Sequence, residues 1–246
     1  NPYVCTVSGE ELFYFKFLPH VWAASTMKDI FTVINERRTC KRFSDKRATR
    51  DDLMLLCEYA MKAPSAANLQ DYRFIVSMKK EHLMELPDAC MEQDFISQAS
   101  GVIVVCSQPK IVEEYFPENG AKMASQGASA AIQNILLAAH GLGLGACWVG
   151  GYIESGIKAI FSIPEEVAVE AVIAVGHPYG KPDPKSEKGF EQPVYLNNWG
   201  NNKTDVDALN KDYSVKFERK LHEIKRDVKS CDECSQRVSE MLKNIK

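Results

Sequence analysis

The chain has 246 residues and a mass of 27.6 kDa, with 45% hydrophobic and 26% charged residues. That is enough apolar sequence for one large core, and it excludes disorder or coiled coil as a description of the whole chain. Thirty basic residues against 33 acidic ones leave a net charge of −3, so no global field draws the chain to nucleic acid or anionic lipid.

In chain order, residues 1–26 form an arm with an aromatic stretch, LFYFKFLPHVW. Lys16 and Pro19 interrupt it and Glu10 and Glu11 precede it, so no secretory leader is expected; because the chain opens on Asn1, a start further upstream stays open. Ile30, Val33 and Ile34 predict a helix within 28–38. Thr49 then caps a second helix, with Asp51 and Asp52 in its first turn and Leu53, Leu56, Cys57 and Ala60 on one face. Ala63-Pro64-Ser65 stops it. RFIVSM (73–78) and VIVVC (102–106) read as strands apolar on both faces.

Residues 121–140 predict a long helix with Ala128, Ile132, Ile135, Leu136 and Ala139 inward, which Gly141 can end as a left-handed cap. Strands at 146–150 and 169–176 flank a helix at 154–161. Residues 123–153 hold no Asp, Glu, Lys or Arg, but six glycines, Gln126, Gln133, Asn134 and His140 break the run. It reads as a buried helix and a strand, and no membrane span is expected. On periodicity alone, the alternation suggests a doubly wound parallel sheet. The last 46 residues carry 11 Lys or Arg and 9 Asp or Glu, which predicts a charged helical tail. The organisation is thus an arm (1–26), a domain (27–200) and a tail (201–246).

Eight cysteines spread over this length do not make a secreted disulfide framework. Cys106 and Cys147 sit in apolar runs, so buried free thiols in the reducing cytoplasm are expected. Cys231 and Cys234 form a lone CxxC without the second pair that structural zinc needs, and no metal site is predicted.

Four stretches can carry chemistry. Between residues 36 and 50 there are seven basic residues and two acidic ones. Of these, Arg37, Arg38 and Lys41, with the hydroxyl of Thr39, suit a phosphate through guanidinium forks, an ammonium and a donor. Pro64-Ser65-Ala66-Ala67-Asn68-Leu69-Gln70 is a loop of small and amide residues that a flat ligand could approach. The glycines 141–145 follow a helix and precede a strand, the reverse of a dinucleotide fingerprint. Gly150-Gly151, after Trp148 and Val149, leave backbone N–H groups open at a strand end. Gly176-His177-Pro178 leads to Lys181, Lys185 and Lys188, a second cationic group able to meet the same anion. No Ser-His-Asp, Cys-His or HExxH pattern supports hydrolysis.

Taken in order, these blocks resemble the nitroreductase family of flavin enzymes. They are Arg37-Arg38-Thr39-x-Lys41-Arg42-Phe43, Ala63–Gln70, Ile132-Gln133-Asn134 leading to Gly141–Gly151, Ile163-Pro164-Glu165, and Gly176-His177-Pro178, covering roughly residues 28–190. The resemblance implies an α+β sandwich whose central sheet is mainly antiparallel, overriding the parallel reading. It also implies an intertwined homodimer with FMN sites at the subunit interface, the 121–140 helix central to it and the tail wrapped around the partner.

By the same resemblance, Arg37, Arg38, Thr39 and Lys41 hold the FMN phosphate and ribityl chain and place a cation near N1/O2. Pro64, Ser65 and Asn68 reach the flavin from the partner subunit. Trp148, Val149, Gly150 and Gly151 meet its N5/O4 edge, Gln93 touches the ring, and Lys181 or Lys185 completes the phosphate site. No side chain need be catalytic, because flavin N5 carries the hydride. NADH or NADPH is the implied donor, and a small-molecule oxidant such as a nitroaromatic or quinone the acceptor, in ping-pong order. Flavin destruction, reductive dehalogenation or non-catalytic flavin binding on the same fold are the alternatives. Asp71, where the family usually has Pro, and Ala66, where glycine or a hydroxyl residue is more common, depart from the pattern.

Overall fold

The computed structural model describes residues 28–180 and 193–201. The chain divides into two units, 1–184 and 185–246. In the second, the described residues close a short turn in which Leu196 N–H donates to Asn201 O at 3.0 Å, and Tyr195 packs on Trp199.

The first unit begins with helix α1 (Ile30–Glu36), capped by Asp29, whose carboxylate accepts from the N–H groups of Phe31 and Thr32. Helix α2 (Arg50–Ala60) starts as the sequence predicts. Thr49 Oγ1 accepts from Asp52 N–H at 3.1 Å, and the Asp52 carboxylate accepts from Thr49 N–H at 2.8 Å. This reciprocal box satisfies two donors that a helix start leaves bare. Thr49→Ala is therefore expected to cost about 1 kcal/mol, read as a lower urea midpoint at unchanged m-value.

Strands β1 (Arg73–Ser77), β2 (Gly101–Ser107), β3 (Gly145–Val149) and β4 (Ala168–Gly176) form one sheet in the order β1-β2-β4-β3, with every neighbouring pair antiparallel. The direction implied by the family resemblance holds, and the parallel reading from periodicity is corrected. The reason is visible in the packing. Along β2, Ile103 and Val105 face one core cluster with α2 and the long helix α5 (Gly120–Gly141). Val102, Val104 and Cys106 face a second cluster with α3 (Lys80–Ala89) and α6 (Glu154–Phe161). A strand covered on both faces is apolar throughout whichever way its neighbours run.

The inward residues expected on α5 are all buried. Its left-handed cap falls two residues later than predicted. Gly141 is still helical; Gly143 takes the left-handed conformation at φ 74, with Gly143 N–H donating to His140 O and Leu144 N–H to Ala139 O. These two bonds form a Schellman cap that delivers the chain directly into β3. Helices α3 and the short α4 (Pro109–Glu113) were not anticipated. Between β2 and β4 the register shifts at Val105/Cys106. Glu170, beside that shift, accepts from Ser107 Oγ at 2.6 Å and from Ser125 Oγ at 2.8 Å. Among the described residues, no helix is long and apolar enough to cross a membrane.

Candidate functional site

After α1 the chain runs extended through residues 37–44, with the side chains of Cys40 and Phe43 buried and those of Thr39, Lys41 and Arg42 exposed. Two contacts fix this segment to the sheet. Thr39 bridges Ala146 in parallel, with Cys40 N–H donating to Ala146 O at 3.1 Å. Phe43 bridges Pro178, with Ser44 N–H donating to His177 O at 2.8 Å and Tyr179 N–H to Arg42 O at 2.9 Å. The basic segment thus lies along the outer side of β3 and beside the chain leaving β4.

The cations on this segment differ in what they are free to do. Arg38 Nη1 donates to the carbonyls of Asn35 and Arg37, at 2.6 and 2.8 Å, and so closes the end of α1. Arg37's guanidinium makes no hydrogen bond or ion pair with a described residue, which leaves its fork available. Lys41 Nζ lies 5.5 Å from the centre of the Phe95 ring, a cation–π contact that orients it without consuming its hydrogens. Arg42 lies likewise over Tyr179, at 5.6 Å.

β3 ends at Val149, buried, and gives way to Gly150 and Gly151. A Cβ at Gly150 would meet only Trp148 Nε1, at 3.8 Å; one at Gly151 would meet Met91 Sδ at 3.3 Å. Trp148 is 40% exposed, because it lies on the edge strand and points away from the cluster that holds Cys147 and Val149. Gln93 Nε2 donates to Cys90 O at 2.7 Å and to Gly151 O at 3.1 Å. In this chain, then, Gln93 props the strand end with its amide nitrogen. Met91 was not singled out from the sequence; it and Glu92 have φ of 56 and 59, so a pair of left-handed residues turns Met91 onto Gly151.

The Pro64–Gln70 loop forms a separate group. Ser65 Oγ accepts from Gln70 N–H at 3.0 Å, and Gln70 Nε2 donates to Asn68 Oδ1 at 3.2 Å. Ala67, Asn68 and Gln70 have φ of 46, 57 and 49. The loop packs on α5 at Gly127, where an added Cβ would lie 3.8 Å from Pro64 O. Among the described residues, no hydrogen bond ties this loop to residues 37–42 or to the end of β3. Lys181 and Lys185 lie outside the described residues. The segment that leads to them starts beside the basic stretch, since a Cβ at Gly180 would lie 3.8 Å from Arg42 Nη2.

The thiols near this site are inert. Burial pushes Cys147 up to about 11 and raises Cys40, whose Sγ donates to Arg42 O. All five described cysteines are buried and free. Burial, with nearby Lys46, lowers His177 below the usual histidine range, so it does not add a cation at neutral pH. Among the described residues, no group of three or more His, Cys, Asp or Glu could hold a metal ion. Among the described residues, the arrangement offers exposed cations, a backbone edge open at Gly150, and no ionised thiol. It suits an anionic tail attached to a flat ring.

A model described as the Nitroreductase family matches residues 34–93 and 87–177. An Archaeoglobus fulgidus protein named "Putative NADH dehydrogenase/NAD(P)H nitroreductase" is 34% identical over 168 residues, which cover 67% of this chain and 90% of that protein. The Bacillus subtilis protein named FMN reductase (NADPH) is 25% identical over 190 residues, or 72% of this chain and 76% of the relative. The solved structure of Bacillus megaterium NfrA2 superposes with a TM-score of 0.65 at 22% identity. It covers 88% of this chain and 92% of its own, which is a likeness of fold.

Proposed function

Because this chain belongs to the nitroreductase family, we propose that it is an NAD(P)H-dependent flavin oxidoreductase that passes a hydride to a small conjugated acceptor such as a nitroaromatic or a quinone. One observation carries the reading: the basic segment 37–42 is pinned by Thr39 and Cys40 to the same strand that runs out into Gly150, where an added Cβ would meet only Trp148 Nε1. The residues present fit FMN, offering a guanidinium and an ammonium that make no hydrogen bond or ion pair among the described residues, for a phosphate, and a backbone without Cβ atoms for a ring. FMN, when bound, supplies the chemistry by accepting a hydride at N5 from NAD(P)H and delivering it to the acceptor.

The chain's own residues bind and orient. Arg37 takes phosphate oxygens through its fork, and Lys41 stands by as the cation for charge that develops on a reduced ring. Gly150 and Gly151 present N–H groups, and Gln93 holds their position through Gly151 O. Both reactants use one cleft, so double-reciprocal plots at varied acceptor should be parallel, as ping-pong order requires. The Pro64–Gln70 loop, unconnected to this site within one chain, reaches the flavin of a second copy. Phe31, Ile34 and Ile30 on α1 are 74%, 53% and 55% exposed, which supports such a subunit interface. The buried free thiols favour a reducing compartment such as the cytoplasm.

The test is anaerobic. Purified protein loaded with FMN should bleach on addition of NADH or NADPH and recover colour on addition of a nitroaromatic or quinone. Loaded protein that neither nicotinamide bleaches overturns the donor assignment, and failure to take up FMN overturns the flavin reading altogether. Arg37→Ala is expected to weaken FMN binding by about 1.5–3 kcal/mol, roughly 10- to 150-fold in Kd, measured by fluorescence titration.

A further inference from the structure

Asp71 stands at the entry to β1, directly after the Pro64–Gln70 loop, and is 1% exposed. Neither of its carboxyl oxygens has a hydrogen-bond partner. The side-chain Oε1 of Gln108 is in the same condition, and these are the buried side-chain polar atoms without partners among the described residues. The two residues are already joined through their backbones, with Gln108 N–H donating to Asp71 O at 3.1 Å.

A bare carboxylate is among the costliest groups a protein can bury. The groups around it do not neutralise it. Arg73 spends its Nη1 on the carbonyls of Gln70 and Tyr72, at 2.9 and 2.8 Å. Tyr72 directs its hydroxyl to the carbonyls of Met61 and Ala63. Glu170, on β4, brings like charge and is itself held by Ser107 and Ser125. One proton serves two of these three atoms at once, since a carboxylic acid gains a donor and Gln108 Oε1 lacks one.

We infer that Asp71 is held as a neutral carboxylic acid whose O–H is donated to Gln108 Oε1, latching the exit of the Pro64–Gln70 loop to the start of α4. The electrostatics agree. Burial pushes the Asp71 carboxyl above the ordinary carboxylate range; the backbone N–H groups of Asp71 and Gln108, which come near it without a hydrogen bond of proper geometry, and the Arg73 guanidinium pull it back, and Glu170 adds to the rise. The latch matters because Ala67, Asn68 and Gln70 occupy left-handed backbone geometry that non-glycine residues keep only when held from outside. Ser65 and Arg73 hold Gln70 from either side, and Asp71 fixes the next residue. The consequence for FMN rests on the assignment of this loop to a flavin; the protonation of Asp71 does not.

Infrared difference spectra of the FMN-loaded protein and its Asp71→Asn variant test the proton directly. At pH values above the range in which an ordinary Asp ionises, the wild type should keep a protonated-carboxyl band that the variant lacks. Thermal unfolding gives the second readout. A folded-state pKa above the unfolded value means the folded state binds the extra proton. The wild type therefore loses stability relative to Asp71→Asn as pH rises from the ordinary carboxyl range through the folded-state pKa, and the gap is constant above it. Asn keeps a donor for Gln108 and has nothing to titrate. For the loop, Asp71→Ala should weaken FMN retention about tenfold while Asp71→Asn restores it. No carboxyl band, with unfolding midpoints that run parallel in pH, overturns the inference. A band and a pH-dependent gap with FMN retention untouched in Asp71→Ala would leave the latch standing and remove the loop from the flavin site.

Discussion

Gly145→Ala is expected to lower the thermal midpoint sharply and, with it, FMN retention. An added Cβ would lie 2.6 Å from Cys40 Sγ and 2.8 Å from Cys40 Cβ, with Pro178 Cβ at 3.4 Å on the far side. Rotation of the thiol gives no relief, because the Cys40 Cβ itself is too close. The segment must lift from β3, which breaks the Cys40 N–H bond to Ala146 O and the Thr39 bridge. Overpacking of this kind costs about 3 kcal/mol, and for a domain of this size Tm should fall by roughly 6–12 °C. Arg37 and Lys41 move with the segment, so FMN affinity falls even at temperatures where the variant is folded. The double variant Cys40→Gly/Gly145→Ala removes the opposing Cβ and should recover much of both losses. A single variant with wild-type Tm and wild-type FMN affinity would contradict the anchoring described here.

Gly150→Val separates binding from folding. Its Cβ would stand in open space apart from Trp148 Nε1 at 3.8 Å, and Gly150 is exposed. Stability should therefore change by no more than about 0.5 kcal/mol. The branched side chain would nevertheless stand where a ring must approach the backbone N–H groups. FMN affinity is expected to fall on the order of a hundredfold, about 2.7 kcal/mol. Flavin titration and thermal unfolding of the flavin-free protein measure the two quantities independently. A variant that binds FMN normally would displace the ring from this strand end.

Much of this could be read before any coordinates. Thr49 announced α2 because capping is local chemistry written within four residues. The basic block and the glycine pair stand out in the sequence as separate stretches, but that both adjoin β3 appears only in the fold. Strand direction was not legible from periodicity, since VIVVC is apolar on both faces under either pairing; the resemblance to a family supplied it. Helix α3 was hidden by Pro87 and by the short apolar set Leu83 and Leu86, whose partners are distant in sequence. The cap of α5 slipped by two residues because three glycines in alternation, Gly141, Gly143 and Gly145, each could have served. Met91 carried no local signal at all, since its place against Gly151 depends on a turn made by non-glycine residues. Asp71 stood out in the sequence only as a departure from the family's usual proline, and only the packed chain revealed an acid enclosed without a partner.

The order β1-β2-β4-β3 leaves β3 at a border of the sheet, where an uncovered row of amides would invite a foreign strand. The short stretch at Thr39 and Cys40 occupies that border. On the proposed flavin assignment a single segment serves as grip and as hem, and loosening it is expected to forfeit solubility along with ligand. Variants that peel it away should leave solution as aggregates, a failure that an assay of turnover alone would mistake for damaged chemistry.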